Sequence, residues 1–124
     1  MAALSCLAAA VVAVQTVPLG RLRAFIERRR VTARRGDDWP RAVRRAMNRA
    51  ARTIPGSTCL ARALAAEWLL RGGGHDALLT IGVARGQGAS LDAHAWVESG
   101  GVVVAGDDQL GRYQPLATFD TRAR

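Results

Sequence analysis

The sequence has few cysteines, few aromatic side chains and no lysine. Its two cysteines, Cys6 and Cys59, are too few for a disulfide framework and lack the paired spacing of a zinc ribbon. They indicate a reduced, cytoplasmic chain in which any thiol chemistry falls on a single residue. Aromatic residues make up 5% of the chain, so few side chains are available to stack on nucleic-acid bases.

The chain is also short. Its 124 residues, of which 49% are hydrophobic, suit one domain with a real core and argue against a disordered tail. We expect a single domain over residues 1–124, with a helical, basic N-terminal extension over 1–39 and the core over 40–119.

Positive charge is concentrated in the N-terminal part. All 18 cationic side chains are arginines, and residues 21–52 have a local net charge of +9 while residues 53–124 have −1. One interpretation is a face for nucleic acid or an anionic membrane. The other is a solvated helical face that docks an acidic protein or peptide, with Arg41, Arg44 and Arg45 as candidates. Because no helix-turn-helix or zinc-finger spacing is visible, we expect no nucleic-acid partner.

An apolar stretch occupies residues 2–14. It is too short to span a bilayer, which needs about 20 residues, and it lacks the preceding positive charge of a signal peptide. A helix with a buried apolar face is the favoured interpretation. Attachment of this helix to a membrane surface and an uncleaved N-terminal anchor are the alternatives.

The pattern of hydrophobic residues changes from helical to strand-like along the chain. Periodicity, capping residues and breakers predict helices first and strands afterwards, which makes an α+β fold with N-terminal helices packed on a small antiparallel β-sheet. The predicted helices cover residues 2–14, 21–30, 40–53 and 59–71, the strands cover 77–84, 92–98 and 102–105, and two short apolar segments follow at 113–116 and 117–119.

Cys59 stands where a helix is expected to begin. Ser57 and Thr58 are both good N-cap residues, so Cys59 falls in the first turn. The unpaired N–H groups there and the helix dipole favour a thiolate by about 0.3–1 kcal/mol or more, which suits a nucleophile. The alternative is an inert, packed thiol, since free cysteine is among the most buried residue types.

His94 lies in the second predicted strand. Because side chains alternate along a strand, His94 shares a face with Trp96. A two-residue turn at the following glycine pair places Asp107 directly across the hairpin from His94, whereas a three-residue loop favours Asp108. A carboxylate beside a histidine holds one tautomer and stabilises the imidazolium. The alternative is a histidine that merely packs in the core or at the surface.

Cys59, His94 and Asp107 therefore supply a possible nucleophile, base and orienting acid from three separate elements. The same three groups could ligate zinc, but no paired Cys-x-x-Cys or His-x-x-x-His spacing supports a metal site. We expect neither a metal nor a cofactor.

Three short motifs carry a resemblance to a known family. They are Cys-Leu-x-Arg-Ala-Leu at 59–64, Ile-Gly-Val at 81–83 and His-Ala-Trp-Val-Glu at 94–98. Together they resemble the transglutaminase-like cysteine peptidases of lasso-peptide biosynthesis, in their stand-alone leader-peptidase form. The resemblance covers residues 40–119.

The resemblance implies a papain-like Cys-His-Asp site that removes the leader from a ribosomally made precursor peptide. Cys59 would be the nucleophile, His94 the base and Asp107 the orienting acid, with Asp108 as the alternative acid. Trp96 is a candidate for contact with the substrate or a partner. The implied partners are the precursor, a separate leader-recognition protein and a lasso cyclase that uses ATP. The alternatives are a transglutaminase-like acyltransferase and a non-catalytic scaffold or binding protein.

Overall fold

The computed structural model describes residues 2–54, 58–85, 91–106 and 113–121. Within these residues the chain forms a layer of helices packed on one antiparallel sheet, which confirms the predicted α+β class. The helices are α1 (Ala2–Thr16), α2 (Leu19–Glu27), α3 (Trp39–Thr53) and α4 (Cys59–Gly72), and the strands are β1 (Ala77–Arg85), β2 (Leu91–Ser99), β3 (Val102–Ala105) and β4 (Gln114–Thr121).

The strands lie in the order β3-β2-β1-β4, so the last strand returns to pair with the free side of β1. The sequence predicts two short segments in this region, and the structure has one strand instead. The pairing of β1 and β4 is irregular between Ile81 and Gly82, where Pro115 lies opposite Gly82. Proline cannot donate to the ladder but is tolerated on an edge strand, so it interrupts the apolar pattern without ending the strand.

The turn between β2 and β3 has the predicted two residues, because Ser99 pairs with Val102. Both turn glycines have positive φ, as tight hairpin turns require. The register then shifts between Val97 and Glu98, and Ala105 pairs with Val97. Counting from the turn therefore does not identify the residue opposite His94. Asp107 and Asp108 both lie outside the described residues.

The core lies between the helices and one face of the sheet. Leu7 of α1 is fully buried there, as the favoured interpretation of the N-terminal apolar stretch predicts. The largest apolar contributions come from Met47, Leu64 and Leu70 in the helices and from Leu79, Val97 and Val104 in the strands. Among the described residues, no helix combines the length and the hydropathy needed to cross a membrane.

Helix α2 buries a charged side chain and exposes an aromatic one. Arg23 and Ile26 are each 5% exposed, whereas Phe25 is 62% exposed. Arg23 forms an ion pair with Glu67, which is fully buried in α4. The guanidinium of Arg71, also buried in α4, donates to the backbone carbonyl of Glu27 at 2.8 Å. The ion pair and the hydrogen bond of these buried charged side chains therefore hold α2 against α4.

We predict that Arg23→Met lowers the free energy of unfolding by about 3–5 kcal/mol, because it removes one partner of a buried ion pair. Denaturant unfolding followed by circular dichroism measures the change. The double variant Arg23→Met, Glu67→Met should recover much of this loss, since apolar side chains of similar size replace both charges. Arg21→Met, an exposed change in the same helix, is the control. An Arg23→Met protein as stable as this control would contradict the prediction.

Candidate active site

Cys59 is the first residue of α4, and its position is set by a helix cap. Thr58 has an extended backbone conformation, and its hydroxyl oxygen accepts a hydrogen bond from the Ala61 N–H at 3.1 Å. This confirms Thr58 as the N-cap, one of the two predicted candidates. The first N–H groups of a helix have no intrahelical acceptor, and Thr58 satisfies that of Ala61. The half-buried Cys59 thiol therefore lies at the positive end of a helix dipole.

Cys59 and His94 lie on elements that pack against each other. Helix α4, which begins at Cys59, contacts both β1 and β2. His94 lies in β2, where it pairs with Gly82 of β1.

The imidazole of His94 has a defined hydrogen bond. Its Nε2 lies 2.7 Å from the backbone carbonyl oxygen of Gly106. Because a carbonyl oxygen can only accept, Nε2 carries the proton and donates it. In the neutral ring Nδ1 is then unprotonated, and it is the atom that could take a proton from a nucleophile. Gly106 has φ +80°, and a Cβ there would collide with the carbonyl oxygen of Ala95, so this position requires glycine.

Two aromatic rings hold the imidazole in place. The ring of Tyr113 stacks on His94 with centroids 4.8 Å apart, and the ring of Trp96 lies 5.9 Å away. Trp96 is only 7% exposed, and its six-membered ring packs over Gly82, where a Cβ would be crowded. Sequence reasoning missed Tyr113. Local spacing could not find it, because it reaches His94 through the non-sequential pairing of β4 with β1.

The thiol and the imidazole are not hydrogen-bonded to each other in this described part of the chain. Ala95 and Val97 are in the core against the helices, so alternation places His94 and Trp96 on the opposite face of β2. The structure thus assembles His94, Trp96 and Tyr113 into one cluster, and Cys59 is not part of it. The assignments of Cys59, His94 and the acid as a triad stay predictions.

A family model described as the transglutaminase-like superfamily matches residues 3–118 of the chain. The chain belongs to this superfamily. The match takes in the N-terminal helices and most of the sheet. A search of curated proteins gave no match, and a search of solved structures gave none either. Transglutaminase-like proteins are often cysteine hydrolases or transferases.

The second cysteine of this transglutaminase-like domain is in a different environment. The Cys6 thiol donates to the Ala65 carbonyl at 3.5 Å, between α1 and α4. Burial raises the pKa of Cys6 to about 11, although the nearby Arg29 charge acts in the opposite direction. A thiol with so high a pKa is a poor nucleophile near neutral pH. Cys59 is therefore the better candidate of the two.

The three arginines predicted to dock a partner are not equivalent. Arg41 and Arg45 are exposed on α3. Arg44 is half-buried, and its guanidinium donates to the backbone carbonyl of Val103 at 2.6 Å. Arg44 thus connects α3 to β3, whatever else it contacts. A change at this position would disturb the fold as well as the surface charge.

We predict that iodoacetamide at pH 8 labels Cys59 well before Cys6. The reason is that Cys6 stays protonated in the folded protein, and its labelling should rise only as the pH approaches its pKa of about 11. Peptide mass spectrometry measures the two rates separately. A Cys6→Ser variant should label at Cys59 at the wild-type rate. Equal labelling of both thiols in the folded protein would contradict the assignment.

Proposed function

We propose that this transglutaminase-like domain is a cysteine peptidase that removes the leader from a lasso-peptide precursor. A separate leader-recognition protein would present the precursor, and a cyclase would act on the product. The observations that support the proposal are a half-buried thiol at the capped start of α4 and an imidazole with a defined tautomer on β2, a strand that contacts α4. The motifs at 59–64 and 94–98 support the family assignment.

The proposed reaction is acyl transfer to water. His94 Nδ1 takes the thiol proton of Cys59, and the sulfur attacks the carbonyl carbon at the junction of leader and core. The carbon–nitrogen bond then breaks while the imidazolium gives its proton to the leaving amine, which leaves a thioester. Water, activated by the imidazole, hydrolyses the thioester and restores the thiol. Catalytic hydrogen bonds are often long without substrate, but His94 lies on the face of β2 opposite the helices, so the proposed step also requires precursor binding to bring Nδ1 and the Cys59 thiol within reach of each other.

The start of α4 also suits the negative charge that develops on the carbonyl oxygen. The N–H of Cys59 has no intrahelical acceptor and can donate to that oxygen. The carboxylate of Asp107, or that of Asp108, is proposed to stabilise the imidazolium. Trp96 is proposed to hold the imidazole of His94, in addition to any contact with substrate.

Replacing Cys59 with alanine should lower the rate of precursor cleavage by about a thousandfold or more, because the nucleophile is lost. Replacing His94 with alanine should have a comparable effect, and the two losses should not add, since both residues serve one step. Mass spectrometry of the precursor, incubated with the peptidase and its recognition protein, measures the cleavage.

The matched control is Cys6→Ala, which removes the other thiol and should leave cleavage unchanged. Circular dichroism establishes that each variant is folded. Full cleavage by Cys59→Ala would refute the peptidase assignment. A wild-type protein that binds the precursor but never cleaves it would favour the scaffold alternative.

An acyltransferase uses the same thioester and differs only in the acceptor. Supplying a primary amine during the reaction separates the two activities. Hydrolysed product in the presence of amine supports the peptidase. An amide of the added amine as the main product would favour the transglutaminase-like alternative.

We further propose that the exposed arginines of α3 dock the acidic leader or the recognition protein. The double variant Arg41→Glu, Arg45→Glu should weaken binding by about tenfold or more at low salt, and the difference should shrink as salt screens the charges. Fluorescence anisotropy with a labelled partner measures the affinity. The control, Arg28→Glu with Arg30→Glu, makes the same charge change at exposed positions just after α2. Equal loss in both double variants would indicate a general charge effect and contradict a specific docking face.

A further inference from the structure

A cavity that Cys59 does not line lies among the helices. Helices α1, α2 and α4 line this half-open space of about 460 Å³, which is within the range of small-molecule sites. Alanines of α1 leave this space open, because their side chains are too short to fill it. The side chains that define its walls are Ala9, Ala10 and Ala13 of α1, Phe25 and Ile26 of α2, and Trp68 of α4.

An aromatic pair forms one wall of this cavity. The rings of Phe25 and Trp68 are stacked, with centroids 5.0 Å apart and planes 5° apart. Phe25 nevertheless remains 62% exposed, which is a large apolar surface in contact with water. An apolar ligand in the cavity would gain contact with this ring and remove part of its surface from water.

One cationic side chain also lines the cavity. The Arg29 guanidinium lies 4.2 Å from the centroid of the Trp68 ring and rests against Gly72, where any Cβ would collide with it. Its Nε is buried and donates no hydrogen bond within the described residues. Among those residues, no carboxylate lies within ion-pair distance of it. Within the described part of the chain this half-buried charge has no counter-ion, and contact with an aromatic ring offsets only part of the cost of removing it from water.

We propose that this cavity binds a single-chain amphipathic carboxylate. The apolar chain would lie between α1 and α4, and the carboxylate would accept hydrogen bonds from the Arg29 guanidinium. One cation in an otherwise apolar cavity matches a molecule with one negative end and a continuous hydrocarbon chain. A peptide segment fits less well, because its backbone N–H and C=O groups would need partners, and among the described lining residues few side chains are polar: Ser5, Cys6, Arg29 and the indole N–H of Trp68. The proposal is independent of the peptidase assignment.

Laurate, kept below the concentration at which it forms micelles, tests the proposal by calorimetric titration of the full chain. We expect saturable binding of laurate, weaker binding of dodecanol and the weakest binding of dodecylammonium. Arg29→Gln should weaken laurate about tenfold or more, the effect of losing a charge-assisted hydrogen bond, and should abolish the preference over dodecanol. Arg28→Gln, an exposed neighbour, should bind laurate as the wild type does.

A second pair of variants tests the cavity itself. Ala9→Leu places a larger side chain on the wall and should reduce the binding of laurate and of dodecanol alike. Ala8→Leu is the matched control, since Ala8 is also exposed on α1 but does not line the cavity. Thermal unfolding establishes that all variants are folded.

Three results would overturn the proposal. The first is laurate affinity that is the same in the wild type, Arg29→Gln and Ala9→Leu, or absent from the wild type. The second is binding of the protein to anionic vesicles but not to monomeric laurate, which would indicate that the cavity and its rim contact a membrane. The third is self-association in sedimentation that Ala9→Leu abolishes, which would assign the face to a second copy of the chain.

Discussion

Helix α4 packs against α1 and α3 within the helical layer and against the sheet. Its buried residues run from Ala61 to Gly72 and fall on all sides of the helix, so its position tolerates little movement. The first turn of α4 is held by this packing and by the Thr58 cap, and the site of Cys59 follows from both. A thiol on a surface helix or a loop would lack this fixed relation to the dipole and to the sheet.

Because α4 is surrounded by other elements, two of its charged side chains cannot reach water, and burying them costs free energy. Glu67 is paired with Arg23 of α2, and one guanidinium nitrogen of Arg71 donates to backbone carbonyls at the end of α2 and just after it. Arg23 and Ile26 are three residues apart and therefore face the same way, toward α4. Phe25 lies to one side of that face, where its ring stacks on Trp68 of α4 and remains 62% exposed. The cavity beside Trp68 is thus linked to the way the buried charges are paired.

The sequence predicts α3 and α4 to within one residue at each end, because their boundaries depend on local chemistry. Pro40 lies at the start of α3, Thr58 caps α4, and glycines end it. Local signals could not predict which face of α2 is buried, since Glu67 is distant in sequence. They also could not predict the shift at Val97 or the single strand β4, because both depend on pairing across the sheet.

In the candidate site, too, some features follow from local sequence and others depend on tertiary structure. The sequence identifies Cys59 and His94 from position and motif, but the partners of His94 come from tertiary structure. Nε2 has one hydrogen, and the Gly106 carbonyl accepts it at 2.7 Å. A carboxylate from either aspartate that follows can receive that hydrogen only by displacing the carbonyl or sharing the bond with it. The tautomer of His94 therefore does not require the acid. The contribution of the carboxylate would be to stabilise the imidazolium of His94 during turnover, when the ring carries a positive charge.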